Sequence, residues 1–207
     1  MELDHVLIPV ADLSGAVTEF ERRYGVVSVE GGRHSGWGTA NRIVPLGDSY
    51  LELVAVVDLA EASRSAFGRW VANARVGRPL GWAVRTDDLG AAAGRLGLSV
   101  GSGSRLLATG EWLRWRIAGV ERAMAEPWLP FFIEWADGSR FPGRIEVEHP
   151  AVAAGIERLV AVGKPKRLSS WLDGHQLPVT LAGEGSGVIG VVLSTSFGEI
   201  VVGSRSQ

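Results

Sequence analysis

His5 and Glu52 are the side chains whose type and placement most clearly offer chemistry. His5 sits in Leu3-Asp4-His5-Val6-Leu7-Ile8-Pro9-Val10, whose alternation predicts a strand with Val6, Ile8 and Val10 on one face and His5 and Leu7 on the other. An imidazole held rigidly on a strand can ligate a divalent metal or touch a substrate; the plainer alternative is a hydrogen-bonded core histidine. Glu52 interrupts the apolar run Tyr50-Leu51-Glu52-Leu53-Val54, sharing a face with Tyr50 and Val54. A carboxylate buried there must be paired, hydrogen-bonded or metal-bound, and Arg42 on the adjoining strand is the structural partner on offer. Glu134, in Phe131-Phe132-Ile133-Glu134-Trp135, follows the same logic, with Arg114 or Arg116 as its structural alternative.

The segment from Gly31 to Arg42 adds His34, Trp37, Thr39, Asn41 and Arg42 on a glycine-rich loop, a density of donors that suits an anion or a carbonyl oxygen. Its structural alternative is a turn whose glycines only satisfy positive backbone angles. Arg85, Arg114 and Arg116 at alternating strand positions favour an anionic ligand, unless they are solvated surface arginines. Trp112, Trp115, Trp128 and Trp135 suit an aromatic ligand or the core. Walker loops, dinucleotide fingerprints, zincin motifs and serine-nucleophile elbows are all absent from the sequence.

The elements that must position these residues follow a repeating order. After the first strand, Asp12 is a good N-cap and Leu13, Ala16, Val17, Phe20 and Tyr24 recur at helical spacing until Gly25. Strands are expected at 26–29, 39–46 and 49–56, with the loop at 31–38 between the first two. A helical connector over 58–78 leads to a second unit of the same order, a strand at 80–86, a helix from Leu89 to Leu96 and strands at 98–100, 112–118 and 130–135. A third stretch shows the same rhythm, with a strand at 145–147, a helix over 151–162 after Pro150, and strands at 177–181, 188–194 and 199–202. Residues 1–136 are thus expected to form paired βαβββ modules (1–57 and 79–136), and 143–207 a third, degenerate module.

Leu3-Asp4-His5-Val6 opening a strand, the segment 31–42, and Tyr50-Leu51-Glu52-Leu53 together resemble the glyoxalase-like branch of the vicinal oxygen chelate (glyoxalase/bleomycin resistance/dioxygenase) superfamily. The resemblance implies an α+β fold of tandem βαβββ modules whose curved mixed sheets surround a cleft. It also implies a divalent metal, zinc, manganese, nickel or magnesium, held by His5, Glu52 and Glu134. The position of a fourth ligand falls on Gly81, which cannot bind. The implied activity is a metal-dependent lyase or isomerase acting on a carbonyl or enediolate substrate, with Glu52 and Glu134 moving the proton; a dioxygenase is less favoured. Gly81 also supports a metal-free binding or sequestering protein of the same fold, and the third unit suits pairing with its twin in a symmetric homodimer.

Composition narrows the partners. Lys+Arg 21 against Asp+Glu 23, spread along the chain, gives a net charge of -2 and no basic footprint for nucleic acid. No apolar run approaches the ~20 residues of a membrane helix, and the opening residues lack the basic region of a secretory signal, so a cytoplasmic setting is expected. With no cysteine, thiolate metal sites and cysteine nucleophiles are excluded. The expected partner is a small molecule of anionic or aromatic character.

Overall fold

Strand alternation and helix caps divide the chain much as its pattern predicts. The computed structural model describes residues 1–107, 110–183 and 185–203, with the backbone alone of Leu106. Strands β1 (Glu2–Pro9), β2 (Val29–His34), β3 (Thr39–Pro45), β4 (Tyr50–Val56), β5 (Gly81–Arg85), β6 (Val100–Leu106), β7 (Trp112–Ala118) and β8 (Phe131–Trp135) form one sheet in the order β2-β3-β4-β1-β5-β8-β7-β6. Each half has its first strand parallel to its last, β1 to β4 and β5 to β8, and the halves join through the antiparallel pair β1–β5. The sheet curves until its end strands β2 and β6 approach one another, leaving a hollow on the concave side.

Helix α1 (Leu13–Tyr24) starts where Asp12 accepts a hydrogen bond from the Gly15 N–H and stops at Gly25, whose φ of 62° is left-handed. Helix α4 (Leu89–Leu96) repeats this with Asp88 and Gly97. The connector is two short helices, α2 (Leu59–Arg64) and α3 (Ala66–Ala72), and α5 (Val120–Ala125) precedes β8. The remainder forms a second sheet, β9 (Gly155–Val162), β10 (Val179–Leu181), β11 (Gly187–Thr195) and β12 (Gly198–Val202), with α6 (Pro165–Trp171) after β9.

The pleat separates two apolar sets. Val6, Ile8, Leu51, Leu53, Trp82, Val84 and Phe132 face α1, α4 and the second sheet, and share one core with Phe20, Leu89, Leu159 and Val191. Leu7, Val54, Ala83, Phe131 and Ile133 face the hollow, with Phe67 and Val71 of α3 against them. Phe132 also stacks on Trp171 at 5.8 Å, tying the first sheet to α6.

Three segments differ from expectation. Residues 151–162 do not form a helix: 155–162 are strand β9, because Ile156, Val160 and Val162 are β-branched and suit a pleated surface better than a helix. Residues 145–147 are not a strand. β2 begins at Val29 and takes in Gly31 to His34, so half of the expected loop is paired with β3. The order of strand, helix and three strands does recur over 155–202, but its sheet runs β10-β9-β11-β12, with β9 parallel to β10.

Phe132 is fully buried. Replacing it with alanine is expected to lower unfolding stability by about 3–5 kcal/mol in urea titrations, while the far-UV spectrum is retained.

Candidate functional site

The face of β1 that avoids the aliphatic core carries His5 into the hollow, and the parallel register Leu7↔Glu52 sets Glu52 beside it from β4. His34 closes the β2–β3 hairpin opposite Thr39, and Asn41 follows two residues later on the same face of β3. Within β2, a Cβ at Gly31 would lie 2.0 Å from Asn41 Oδ1, so only glycine leaves room for that amide. Arg105 arrives from β6, across the gap between the two ends of the sheet.

These side chains converge. Both Glu52 oxygens face imidazole nitrogens, Oε2 at 3.7 Å from His5 Nε2 and Oε1 at 3.6 Å from His34 Nε2. The hydrogen bonds around them fix the tautomers. A carboxylate only accepts, so His5 Nδ1–H donates to Asp4 Oδ1 at 2.6 Å and leaves Nε2 facing Glu52. A guanidinium only donates, so Arg105 Nη1–H donates to Asn41 Oδ1 at 2.8 Å. The Asn41 amide N–H is then the donor to His34 Nε2 at 3.2 Å, and His34 Nδ1–H donates to the Thr39 hydroxyl at 2.9 Å. Asp4 is held in turn by the Trp135 indole N–H at 2.9 Å. Adjacent strand residues normally point apart; Asp4 reaches His5 because the β1–β5 register slips between Leu3 and His5.

Burial pushes the Glu52 carboxyl up, yet the imidazoles of His34 and His5, the Asn41 amide and the Arg105 charge overcome it and hold the group below the ordinary carboxylate range. Burial pushes the His34 imidazole down, against the pull of Glu52. The two are one coupled equilibrium that favours a Glu52 anion beside a neutral His34 at neutral pH. Tyr50 stacks on His5 at 4.7 Å, and burial pushes its phenol far up, so it stays protonated.

The enclosed part of the hollow measures about 50 Å³ and is walled by Leu7, Phe67, Leu113, Ile117, Phe131 and Ile133. On the scale where one water needs about 10–15 Å³, it admits a small group of a few heavy atoms. It shares His34, Trp37, Trp115 and Trp135 with an open basin of about 640 Å³ that also includes Ser104, Arg114 and Arg116.

Of the residues that sequence pointed to, His5, Glu52, His34, Trp37, Thr39 and Asn41 are brought together. Arg42 is not: it lies on the other face of β3, and its guanidinium donates to the Ser28 hydroxyl and carbonyl. Glu134 is not brought to Glu52 either. It leaves β8 on the Phe132 side, takes the Arg116 guanidinium and the Leu89 N–H, and reaches only the outer basin. Gly81 stands against the Trp70 ring, which a Cβ would meet at 2.6 Å. Asp4, Tyr50 and Arg105 belong to the site and were missed. Arg105 follows Gly101-Ser102-Gly103-Ser104, which reads as loop, and only its position on the same strand face as Gly103 hints at the hollow.

Members of the superfamily typically bind a divalent metal. Among the described residues, no group of three or more His, Asp or Glu is arranged to hold an ion. His34 Nε2 already takes the Asn41 hydrogen, the β5 and β8 residues facing the hollow are glycine or apolar, and Arg105 brings a positive charge. His5 and Glu52 alone remain, which does not fit a resident divalent cation.

The paired half-sheets and the concave site define the vicinal oxygen chelate fold. The model of the glyoxalase-like domain family matches residues 3–175, and the chain belongs to that family. Among solved structures, a hypothetical protein from Staphylococcus aureus aligns over 97% of this chain and 84% of its own, with TM-score 0.60 and 15% identity. A variant methylmalonyl-CoA epimerase from Streptomyces coelicolor, in complex with 2-nitronate-propionyl-CoA, aligns over 68% of this chain and 98% of its own, with TM-score 0.50 and 21% identity. These likenesses are of fold. No curated protein matches the chain.

The depressed values set the acid dependence of stability. The His34 part is complete above its ordinary 6.5 and is lost as pH falls from there through the lowered folded value. The Glu52 part is complete above its ordinary 4.5 and is lost as pH falls through its own lowered value. Urea titrations across pH should therefore show a first decline beginning below 6.5 that His34→Gln abolishes, and a second below 4.5 that it weakens, because the His34 imidazole is the largest of the groups holding Glu52 low.

Proposed function

We propose that this chain is a small-molecule enzyme of the isomerase or lyase class that moves a proton at the carbon beside a carbonyl. The observation that supports it is a buried Glu52 anion facing the Nε2 of a histidine whose other nitrogen is fixed by Asp4. Glu52 takes the proton from carbon, and the bonding pair left behind passes to the carbonyl as an enolate. The proton moves on to His5 Nε2, where the Asp4 carboxylate stabilises the resulting imidazolium, and is returned at another carbon or at the oxygen. Once it carries the substrate proton, Glu52 is the donor and His5 Nε2, 3.7 Å away, the acceptor. Apolar walls exclude water and strengthen each charge interaction. The divalent metal implied by resemblance has no part in these steps.

A second reading, binding without chemistry, is favoured by the aromatic mouth of Trp37, Trp115 and Trp135. Exchange of α-protons with solvent separates the two. Small ketones, aldehydes, 2-oxo acids and acyl thioesters are incubated with the protein in heavy water and followed by proton NMR. A substrate should lose its α-proton signal, and Glu52→Gln should slow that loss by about 10²–10⁴-fold. Tight binding with no exchange across the panel would establish the binding protein instead. Dialysis against a chelator should leave the exchange rate unchanged; a loss restored by a divalent ion would return the metal to the mechanism.

A further inference from the structure

Arg105 is the one arginine or lysine among the described residues lining the hollow, and the proton-transfer reading does not use it. Its residue is only 4% exposed, and its Nε–H is buried with no hydrogen-bond partner among the described residues. Among the described residues its guanidinium has one hydrogen bond, from Nη1 to the neutral amide of Asn41, and no carboxylate forms an ion pair with it. The exposed arginines of this chain do better: Arg33 pairs with Glu61, Arg116 with Glu134, Arg158 with Glu199 and Arg167 with Glu126. A cation taken out of water with no carboxylate at ion-pair distance is held only by the more distant Glu52 charge and one neutral amide, and an unsatisfied buried donor adds to the cost.

We propose that the inner cavity is a carboxylate-binding site in which Arg105 receives the acidic group of the ligand. The unpartnered Nε–H lies on the edge of the guanidinium that offers two parallel donors, the geometry that matches a carboxylate, and it is closed to solvent, so a shift of the Arg105 side chain accompanies binding. Size agrees, since about 50 Å³ admits a carboxylate and its neighbouring carbon while the bulk of a larger ligand occupies the open basin, where Arg114 and Trp115 lie. Charge agrees as well. Asn41 and His34, both neutral, stand between Arg105 and Glu52, so a ligand anion at one end need not meet the Glu52 anion at the other. The substrate class that follows, a small carboxylic acid whose carbonyl-activated carbon lies beside Glu52, rests on the proton-transfer reading; the binding of the acid does not.

Propionate and propionamide have the same shape and differ in charge, so they test the site without turnover. Calorimetric titration of the intact chain should show propionate binding at least about 10-fold tighter than propionamide, the discrimination expected of a hydrogen bond to a charged group. Glu52→Gln should retain that binding. Arg105→Gln should abolish the preference, and Arg105→Lys, which keeps the charge but not the fork, should weaken it. Because either variant could misfold, the wild-type protein carries a second readout: one arginine Nε–H signal in a proton–nitrogen NMR spectrum should shift as propionate is added and stay put with propionamide. Equal affinity for the two compounds, or a propionate titration that leaves every arginine Nε–H unmoved, would overturn the proposal. Failure of proton exchange with intact propionate binding would remove the enzymatic reading and leave this one standing.

Discussion

A carboxylate kept ionised inside an apolar hollow is the constraint around which the rest of this molecule is arranged. Glu52 cannot be buried among Leu7, Val54 and Phe131 unless its neighbours stabilise the charge, and each neighbour is itself fixed by a further group. His5 is set by Asp4, Asp4 by Trp135, His34 by Thr39 and Asn41, and Asn41 by Arg105. These residues come from β1, β2, β3, β4, β6 and β8, so the carboxylate's surroundings exist only when the two halves of the sheet have closed on one another. Fold and site are therefore one requirement.

The two halves are unequal in a way that bears on chemistry. The first contributes an imidazole and a carboxylate from its first and last strands, as the resemblance implied. The second presents Gly81, Ala83, Phe131 and Ile133 to the same hollow, and supplies its polar group from β6 instead. A guanidinium is a fixed cation with directed donors, and it occupies the half of the hollow where further metal ligands would otherwise stand. The chain thus keeps the scaffold of its family and places a guanidinium in the second half of the hollow.

What the sequence made legible followed from the period of two. Once β1 and β4 were recognised, alternation put His5 and Glu52 on the face opposite the aliphatic core, and the structure places them 3.7 Å apart. The same rule misled at Glu134, because the strand registers lay Glu52 on Phe131, an odd number of positions from Glu134, which therefore takes the opposite face of β8. Asp4 was hidden because regular alternation points it away from His5, and only a slip in strand pairing lets them meet. Arg105 was hidden by the glycines and serines before it, and its partner Asn41 lies 64 positions away, a distance that no local pattern spans. The rhythm of the earlier modules suggested a helix over 151–162 after Pro150, while the β-branched residues beyond Gly155 decided for a strand.

The charge on Glu52 can be read directly. Carbon-13 NMR of the glutamate side-chain carboxyls, with the Glu52 signal assigned by its loss in Glu52→Gln, follows its titration in the intact protein. The account predicts a midpoint below the ordinary value of 4.5. A midpoint above it would mean a neutral acid in an apolar pocket, and would contradict the account.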